Sequence, residues 1–113
     1  MYFHVRRSES GPWTTVHVIG EIDLATAPKY RTELNQAVVV ADGGSVAVDL
    51  TDCDLIDSVG IGLTLCAARR VSEGGGRFAV IAGDRVSTLL QRYRVDQILD
   101  IVESVDALER SLP

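Results

Sequence analysis

A serine hydroxyl set between an acidic segment and two glycines is the group in this chain best placed to do chemistry. The stretch reads Asp54, Leu55, Ile56, Asp57, Ser58, Val59, Gly60, Ile61, Gly62. Ahead of it Val46, Ala47, Val48, Asp49, Leu50 form an apolar run of strand length, and behind it Leu63, Thr64, Leu65, Cys66, Ala67, Ala68 read as helix. Ser58 therefore stands where a polar loop ends and a helix begins. The first N–H groups of a helix lack intrahelical partners and carry the positive end of its dipole, so a serine oxygen caps them. A phosphate on the same oxygen is tolerated there for the same reason. Two readings follow: a plain helix cap, the commonest use of Ser and Asp at such a corner, and a phosphate acceptor. Gly60 and Gly62 each cost up to about 1 kcal/mol relative to alanine in a helix. They either leave the helix start open to another molecule or let the helix lie close against a strand.

Other chemistries lack their companions. Ser58 has no Gly-x-Ser-x-Gly surround, and the two histidines, His4 and His17, fall on early strands with no reason to reach it. Neither has a second ligand at metal-binding spacing. Asp23, Asp54 and Asp57 could gather Mg²⁺, but no phosphate-cradling Gly-x-x-x-x-Gly-Lys loop accompanies them. A binding protein is expected rather than an enzyme, with no metal and no cofactor. Cys53 and Cys66 form neither a Cys-x-x-Cys nor a metal pair. Cys66, on an apolar helix stripe, reads as core and Cys53 as accessible; a redox role needs their Cα atoms within about 7 Å.

A chain of 113 residues fits one domain, 1–113, with room for a substantial core. Eleven basic against sixteen acidic residues give a net charge of −5 without a basic cluster, so nucleic acid is not an expected partner. No apolar run approaches the roughly 20 residues that span a bilayer, and the N-terminus lacks the pattern of a secretion signal. A cytoplasmic protein with no membrane partner is the expectation.

The elements that must position Ser58 follow from periodicity and turn residues. Phe3 to Arg7 and Thr14 to Ile19 read as an antiparallel pair of strands around a turn at residues 8–12. Thr26, Ala27, Pro28 opens a helix with a capping side chain and a tolerated proline. Its inward stripe is Tyr30, Leu34, Ala37, Val38 and Ala41, and Asp42, Gly43, Gly44 ends it. Ser45 to Leu50 reads as a strand covered on both faces. The helix from Ser58 to Ser72 carries one stripe of Val59, Leu63, Cys66, Ala67 and Arg70 and an adjoining one of Ile61, Leu65 and Ala68. That apolar surface is wider than one core contact needs. Arg77 to Ala82 reads as a buried strand and Asp84 to Arg94 as a helix with Val86, Leu89, Leu90 and Tyr93 inward. Ile98 to Val102 is a last strand, and Ser104 caps a terminal helix bearing Val105, Leu108 and Leu112, with Asp106 and Glu109 outward. The order β, β, α, β, α, β, α, β, α predicts an α/β domain with a mixed, mostly parallel sheet of about five strands and about four helices.

With these elements in place, the chain resembles the anti-sigma factor antagonists, single-domain members of the STAS superfamily, over nearly its whole length. Gly20, Glu21, Ile22, Asp23, Leu24, Ala25, Thr26, Ala27, Pro28 is similar to the family's first signature. Val48, Asp49, Leu50 through Asp57, Ser58, Val59, Gly60, Ile61, Gly62 is similar to its second. Gly75, Gly76, Arg77 before Phe78 to Ala82, and Val95, Asp96, Gln97, Ile98, Leu99, match weaker features. The resemblance implies partner switching: the unphosphorylated protein binds an anti-sigma factor that is itself an ATP-dependent serine kinase, releasing sigma factor. Phosphorylation of Ser58 blocks that binding, and a metal-dependent serine phosphatase resets the switch. It also implies a partner-binding face of Asp23, Asp57, Ser58, Val59, Gly60, Ile61 and Gly62. Two positions depart from the family pattern: Val59 stands where a second serine is common, and Arg94 where a glycine commonly ends the third helix.

A phosphoserine would add about −1.5 to −2 charges beside Asp57, with Asp23 and Asp54 nearby. A partner surface fitted to a neutral serine would then meet repulsion and desolvation, with little refolding, because the helix start satisfies the phosphate. The alternative is a STAS scaffold subunit of a stress-sensing or lipid-transport assembly in which the serine is never modified. Redox control through Cys53 and Cys66 is a third, lesser reading.

Overall fold

A computed structural model describes residues 2–110. Strands β1 (Phe3–Ser10) and β2 (Trp13–Ile22) pair antiparallel from Phe3↔Gly20 to Ser10↔Trp13, so the ladder runs to the two-residue turn Gly11, Pro12. Gly11 takes a φ of 59°, a left-handed conformation that glycine adopts without steric cost. Helix α1 (Ala27–Ala41) leads to β3 (Ser45–Ile56), α2 (Ser58–Glu73) to β4 (Phe78–Ile81), and α3 (Asp84–Arg92) through a 3₁₀ turn (Val95–Gln97) to β5 (Asp100–Val102) and α4 (Val105–Arg110). The strands lie in the order β1-β2-β3-β4-β5, parallel from β2 onward. The expected α/β architecture, five strands and four helices, is the one observed.

Alternation along the strands separates two cores. Val16 and Val18 of β2, Val46 and Val48 of β3 and Val80 of β4 join Tyr30, Leu34, Ala67, Val71, Val86 and Leu90 from the first three helices. Trp13, Ala47, Ala79 and Ile81 point to the other face, where Leu108 of α4 meets them. Within the larger core the Tyr30 phenol donates to Thr64 Oγ (2.6 Å), whose own proton goes to the Gly60 carbonyl (2.8 Å). Burial raises the Tyr30 pKa, so this link between α1 and α2 is a neutral hydrogen bond.

Several boundaries differ from the sequence reading. The segment 51–56, expected as loop, continues β3 as strand. In α2 the buried residues are Gly60, Ile61, Thr64, Ala67 and Val71, while Val59, Cys66 and Arg70 are exposed. The inward stripe therefore mixes the small residues Gly60, Thr64 and Ala67 with Ile61 and Val71, and is offset from the expected one. Tyr93 is exposed rather than inward because α3 stops at Arg92, and Ile98 is exposed because a 3₁₀ turn replaces the start of the expected last strand. Ser104 Oγ accepts from Ala107 N–H (3.0 Å), the cap expected of it. Leu112 lies outside the described residues, as does the side chain of Glu109.

Arg94, the residue at a position glycine commonly holds, has a φ of 59°. A left-handed conformation costs a non-glycine residue about 1–2 kcal/mol, partly offset because a glycine is freer when unfolded. Arg94→Gly is therefore expected to stabilise the chain by about 0.5–1 kcal/mol in urea denaturation. Unchanged or lower stability would mean that the arginine side chain makes a compensating contact.

Candidate functional site

The Ser58 corner is set by how β2 and β3 end. The register runs His17↔Asp49, then Ile19↔Asp52, and again Gly20↔Cys53, then Glu21↔Leu55. At each shift β3 spends one residue more than β2, which marks two bulges. Beyond them the strands finish level, at Ile22↔Ile56, and Asp57 N–H donates to Ile22 O (3.0 Å). The segments that start at Asp23 and Asp57 thus leave the sheet side by side.

Each segment is then tied internally. Asp23 Oδ1 accepts from the N–H groups of Ala25 (2.9 Å) and Thr26 (3.1 Å). The Thr26 hydroxyl accepts from Asp23 N–H (2.9 Å) and donates to Glu21 O (2.8 Å). Thr26 occupies the cap position of α1 but makes no capping bond with its side chain; its hydroxyl holds the loop instead. The signal for this was present as Asp and Thr three apart, a spacing that closes turns through side-chain oxygens. One product of that turn is Leu24, held 76% exposed, which the sequence reading did not single out.

On the other segment, Asp57 and not Ser58 caps α2: its carboxylate accepts from Gly60 N–H (3.0 Å) and its backbone is extended. Ser58 is the first helical residue, and it is exposed. The correction follows from competition between neighbours, because a carboxylate at the cap gains more from the dipole than a hydroxyl does. Asp57 leaves the serine oxygen clear of the capping role.

The two glycines serve different purposes. A Cβ built on Gly60 would stand 2.6 Å from Ile22 Cγ2 and 2.8 Å from Ile56 Cγ1, whereas one on Gly62 meets nothing within 4 Å. Gly60 is there for close packing and Gly62 lies on the surface. Ile61 is a core residue, so neither Gly60 nor Ile61 offers side-chain surface to a partner. The exposed face of the helix start consists of Ser58, Val59 and Gly62. Val59, 42% exposed, and Leu24 line one open cavity of about 510 Å³ with Pro28, Arg31, Asn35 and Leu63, between α1 and α2.

The cysteines are the reverse of what was expected: Cys53 is buried and Cys66 exposed, and both are free thiols. A bulged strand turns Cys53 inward among polar neighbours, and the offset stripe of α2 turns Cys66 out. Burial pushes the Cys53 thiol up to about 11, and its proton is donated to the Leu55 carbonyl. Iodoacetamide at neutral pH is accordingly expected to label Cys66 readily and Cys53 only on unfolding. The sign of the pH effect follows: the unfolded thiol ionises near 9.0 and the folded one near 11. Stability from this group is full below the unfolded value and falls as pH rises through that window, by about 1–2 kcal/mol. A Cys53→Ala variant should lose that part of the alkaline slope in urea titrations; an unaltered slope would assign it elsewhere.

His17 Nε2 stands 2.8 Å from Asp52 Oδ2, with its other nitrogen 3.4 Å from the Arg6 guanidinium. Its partners are thus on the sheet and not at Ser58. Among the described residues, no group of three or more His, Cys, Asp or Glu side chains is placed to hold a metal ion. None of the described helices is long and apolar enough to cross a membrane.

Comparison with known proteins decides the family. The model of the family described as "Mlab, STAS domain" matches residues 5–103. The chain belongs to the STAS domain family. Over 89 residues, 78% of this STAS domain and 75% of the relative, it is 29% identical to the anti-sigma-B factor antagonist of Listeria monocytogenes. Among solved structures, an anti-sigma factor antagonist from Mycobacterium paratuberculosis superimposes with a TM-score of 0.86 at 22% identity, covering 97% of this chain and 93% of that one. The anti-sigma factor antagonist SpoIIAA in its unphosphorylated form gives 0.72 at 18% identity, over 96% and 95% of the two chains. The phosphorylated form of SpoIIAA, from Bacillus, gives 0.69 at 16%, over 98% and 100%. At these identities the structures speak for the fold, and the STAS domain shares it from end to end.

Proposed function

We propose that this STAS domain is an anti-sigma factor antagonist that switches partners through phosphorylation of Ser58. In its unphosphorylated form it binds an anti-sigma factor that is a serine kinase, so that sigma factor is released. The phosphorylated form does not bind, and a serine phosphatase restores the first state. The observation that carries the reading is the division of labour at the corner: Asp57 caps the helix, and Ser58 stands exposed beside it. A serine needed only as a cap would occupy the position that Asp57 holds.

Further support comes from the surroundings. Val59 and Leu24 supply exposed apolar surface near the helix start, and the segments that Asp23 and Asp57 open leave adjacent strand ends. A phosphate at the first helical position lies in the field of unpaired N–H groups, so the helix need not melt to accept it. SpoIIAA shares the fold with this chain in both its unphosphorylated and phosphorylated forms, which agrees with a block made at the surface.

The test is phosphorylation in solution. Incubation with Mg-ATP and the anti-sigma factor kinases of the same cell, one at a time, should place one phosphate on Ser58, located by peptide mass spectrometry and absent from Ser58→Ala. Backbone amide spectra of the two forms should superimpose except near Ser58. A phosphate on another residue, or none with any kinase that binds the chain, would return Ser58 to a structural role and leave the scaffold reading in its place.

A further inference from the structure

The cavity that Leu24 and Val59 line continues along the seam between α1 and α2. A second one, of about 280 Å³, shares Arg31, Asn35 and Leu63 with it and reaches Cys66 and Arg70. The two make one groove, which starts at the helix end that carries Ser58 and follows α2 from Val59 to Arg70. At the rise of a helix that is about 16 Å, or three turns. The Tyr30 to Thr64 bond fastens the two walls together beneath it, and α4 lies on the far face of the sheet.

The groove has two unlike ends. Toward Ser58 it is apolar, with Leu24 and Val59 exposed and Leu63 half-buried. Farther along it is cationic. Arg70 Nη1 donates to Asn35 Oδ1 (2.6 Å), which holds the guanidinium across the seam and leaves most of its five N–H donors for another acceptor. Arg31 is exposed and has no ion pair among the described residues. No carboxylate among the described residues lines either stretch. Glu33 of α1 turns to Arg7 (4.0 Å) and Glu73 of α2 to Arg69 (3.3 Å). In a chain of net charge −5, a strip lined by arginines and free of carboxylates favours an acidic occupant. A second copy of the chain would set these arginines against arginines or against apolar side chains, with no carboxylate to meet them.

We propose that this groove receives an acidic amphipathic helix of the anti-sigma factor. Its apolar side chains lie on Leu24, Val59 and Leu63, and its carboxylates meet Arg31 and Arg70. A helix laid between two packed helices is a common way to read such a seam. The inference rests on the function proposed above and adds the chemistry of the partner's contact segment and its direction, acidic end toward Arg70. It also gives the modification a second means of acting. A phosphate on Ser58, the residue before Val59, stands at the mouth of the groove and repels an acidic segment entering it.

The test titrates the purified anti-sigma factor onto the full chain at physiological salt. Arg31→Glu and Arg70→Glu are each expected to weaken binding at least about tenfold, and Arg69→Glu, which reverses the same charge outside the groove, less than about threefold. Bound partner should also slow alkylation of Cys66 by iodoacetamide at least about tenfold. That readout needs no variant, and a long-range field alone would not produce it. If the two groove variants bind normally, or Cys66 reacts as fast in the complex, the groove is overturned; the switch still stands where Ser58→Asp blocks binding. Losses at Arg31 and Arg70 with Ser58→Asp binding as well as the unaltered chain would keep the groove and remove the switch. Equal losses in all three arginine variants would reduce them to a diffuse field. Protection of Cys66 in the chain alone as its concentration rises would give the groove to a second copy, and either result overturns the proposal. Failure of every anti-sigma factor of the same cell to bind would overturn groove and switch together.

Discussion

Ser58→Asp is expected to weaken binding to the anti-sigma factor at least about a hundredfold, close to 3 kcal/mol, while Ser58→Ala stays within about threefold of the unaltered chain. The asymmetry follows from what each replacement changes. Alanine removes a hydroxyl that no longer has to cap the helix, because Asp57 already accepts the Gly60 N–H. Aspartate adds a charge next to Asp57, beside the segment that Asp23 opens from the adjacent strand end. A partner surface closing over Val59 and Leu24 would have to desolvate that charge beside two others. The aspartate should lower affinity less than a true phosphate, which carries about −1.5 to −2 charges. Calorimetric titration with the purified partner reads both. Equal affinity of all three proteins would separate Ser58 from partner choice, whatever modification it undergoes.

The second large effect concerns stability. Gly60→Ala and Gly62→Ala are expected to move it in opposite directions, though they lie two residues apart on one helix. Both gain about 1 kcal/mol in helix propensity. At Gly62 nothing opposes the gain, as a Cβ there meets no atom within 4 Å. At Gly60 the Cβ would press on Ile22 and Ile56, both about 1% exposed or less. Forcing a methyl into such packing costs about 1–3 kcal/mol, and the last residues of β2 and β3 would have to shift. The two variants should thus differ by about 2 kcal/mol in urea denaturation, with Gly62→Ala the more stable. Gly60→Ala should also weaken partner binding, since Asp23 and Asp57 follow the displaced isoleucines. If both glycines prove equally replaceable, the close contact of α2 with the strand ends is not what holds the corner.

Much of this was legible in the residues. The stripe of Tyr30, Leu34 and Ala37 gave α1, and the uninterrupted apolar runs gave the middle strands. What was misread has a common cause. In β3 the buried residues after Val48 are Leu50, Cys53 and Ile56, a spacing of three that bulges produce and that neither strand nor helix periodicity predicts. Seen through that spacing, a strand looks like a polar loop and Cys53 looks accessible. In α2 the inward face includes Gly60, Thr64 and Ala67 beside Ile61 and Val71, and the first three admit close packing but add little hydrophobic signal. The eye then follows Val59, Leu63 and Cys66, one position away, and turns the helix outward by about a quarter.

The two bulges have a further consequence for how this corner could change over time. From Trp13↔Ser45 to Ile22↔Ile56, β2 advances nine positions and β3 eleven, so the level ending depends on a count of residues more than on their kinds. Replacing Asp54 or Thr51 leaves the count intact and should be absorbed. Losing either, with the pairing up to Asp49 kept, would pull Asp57 back by one place, into the inward position of Ile56, and set Ser58 out of step with Asp23. Descendants of this chain are therefore free to drift in composition along the end of β3, while a gain or loss of a single codon there would be purged.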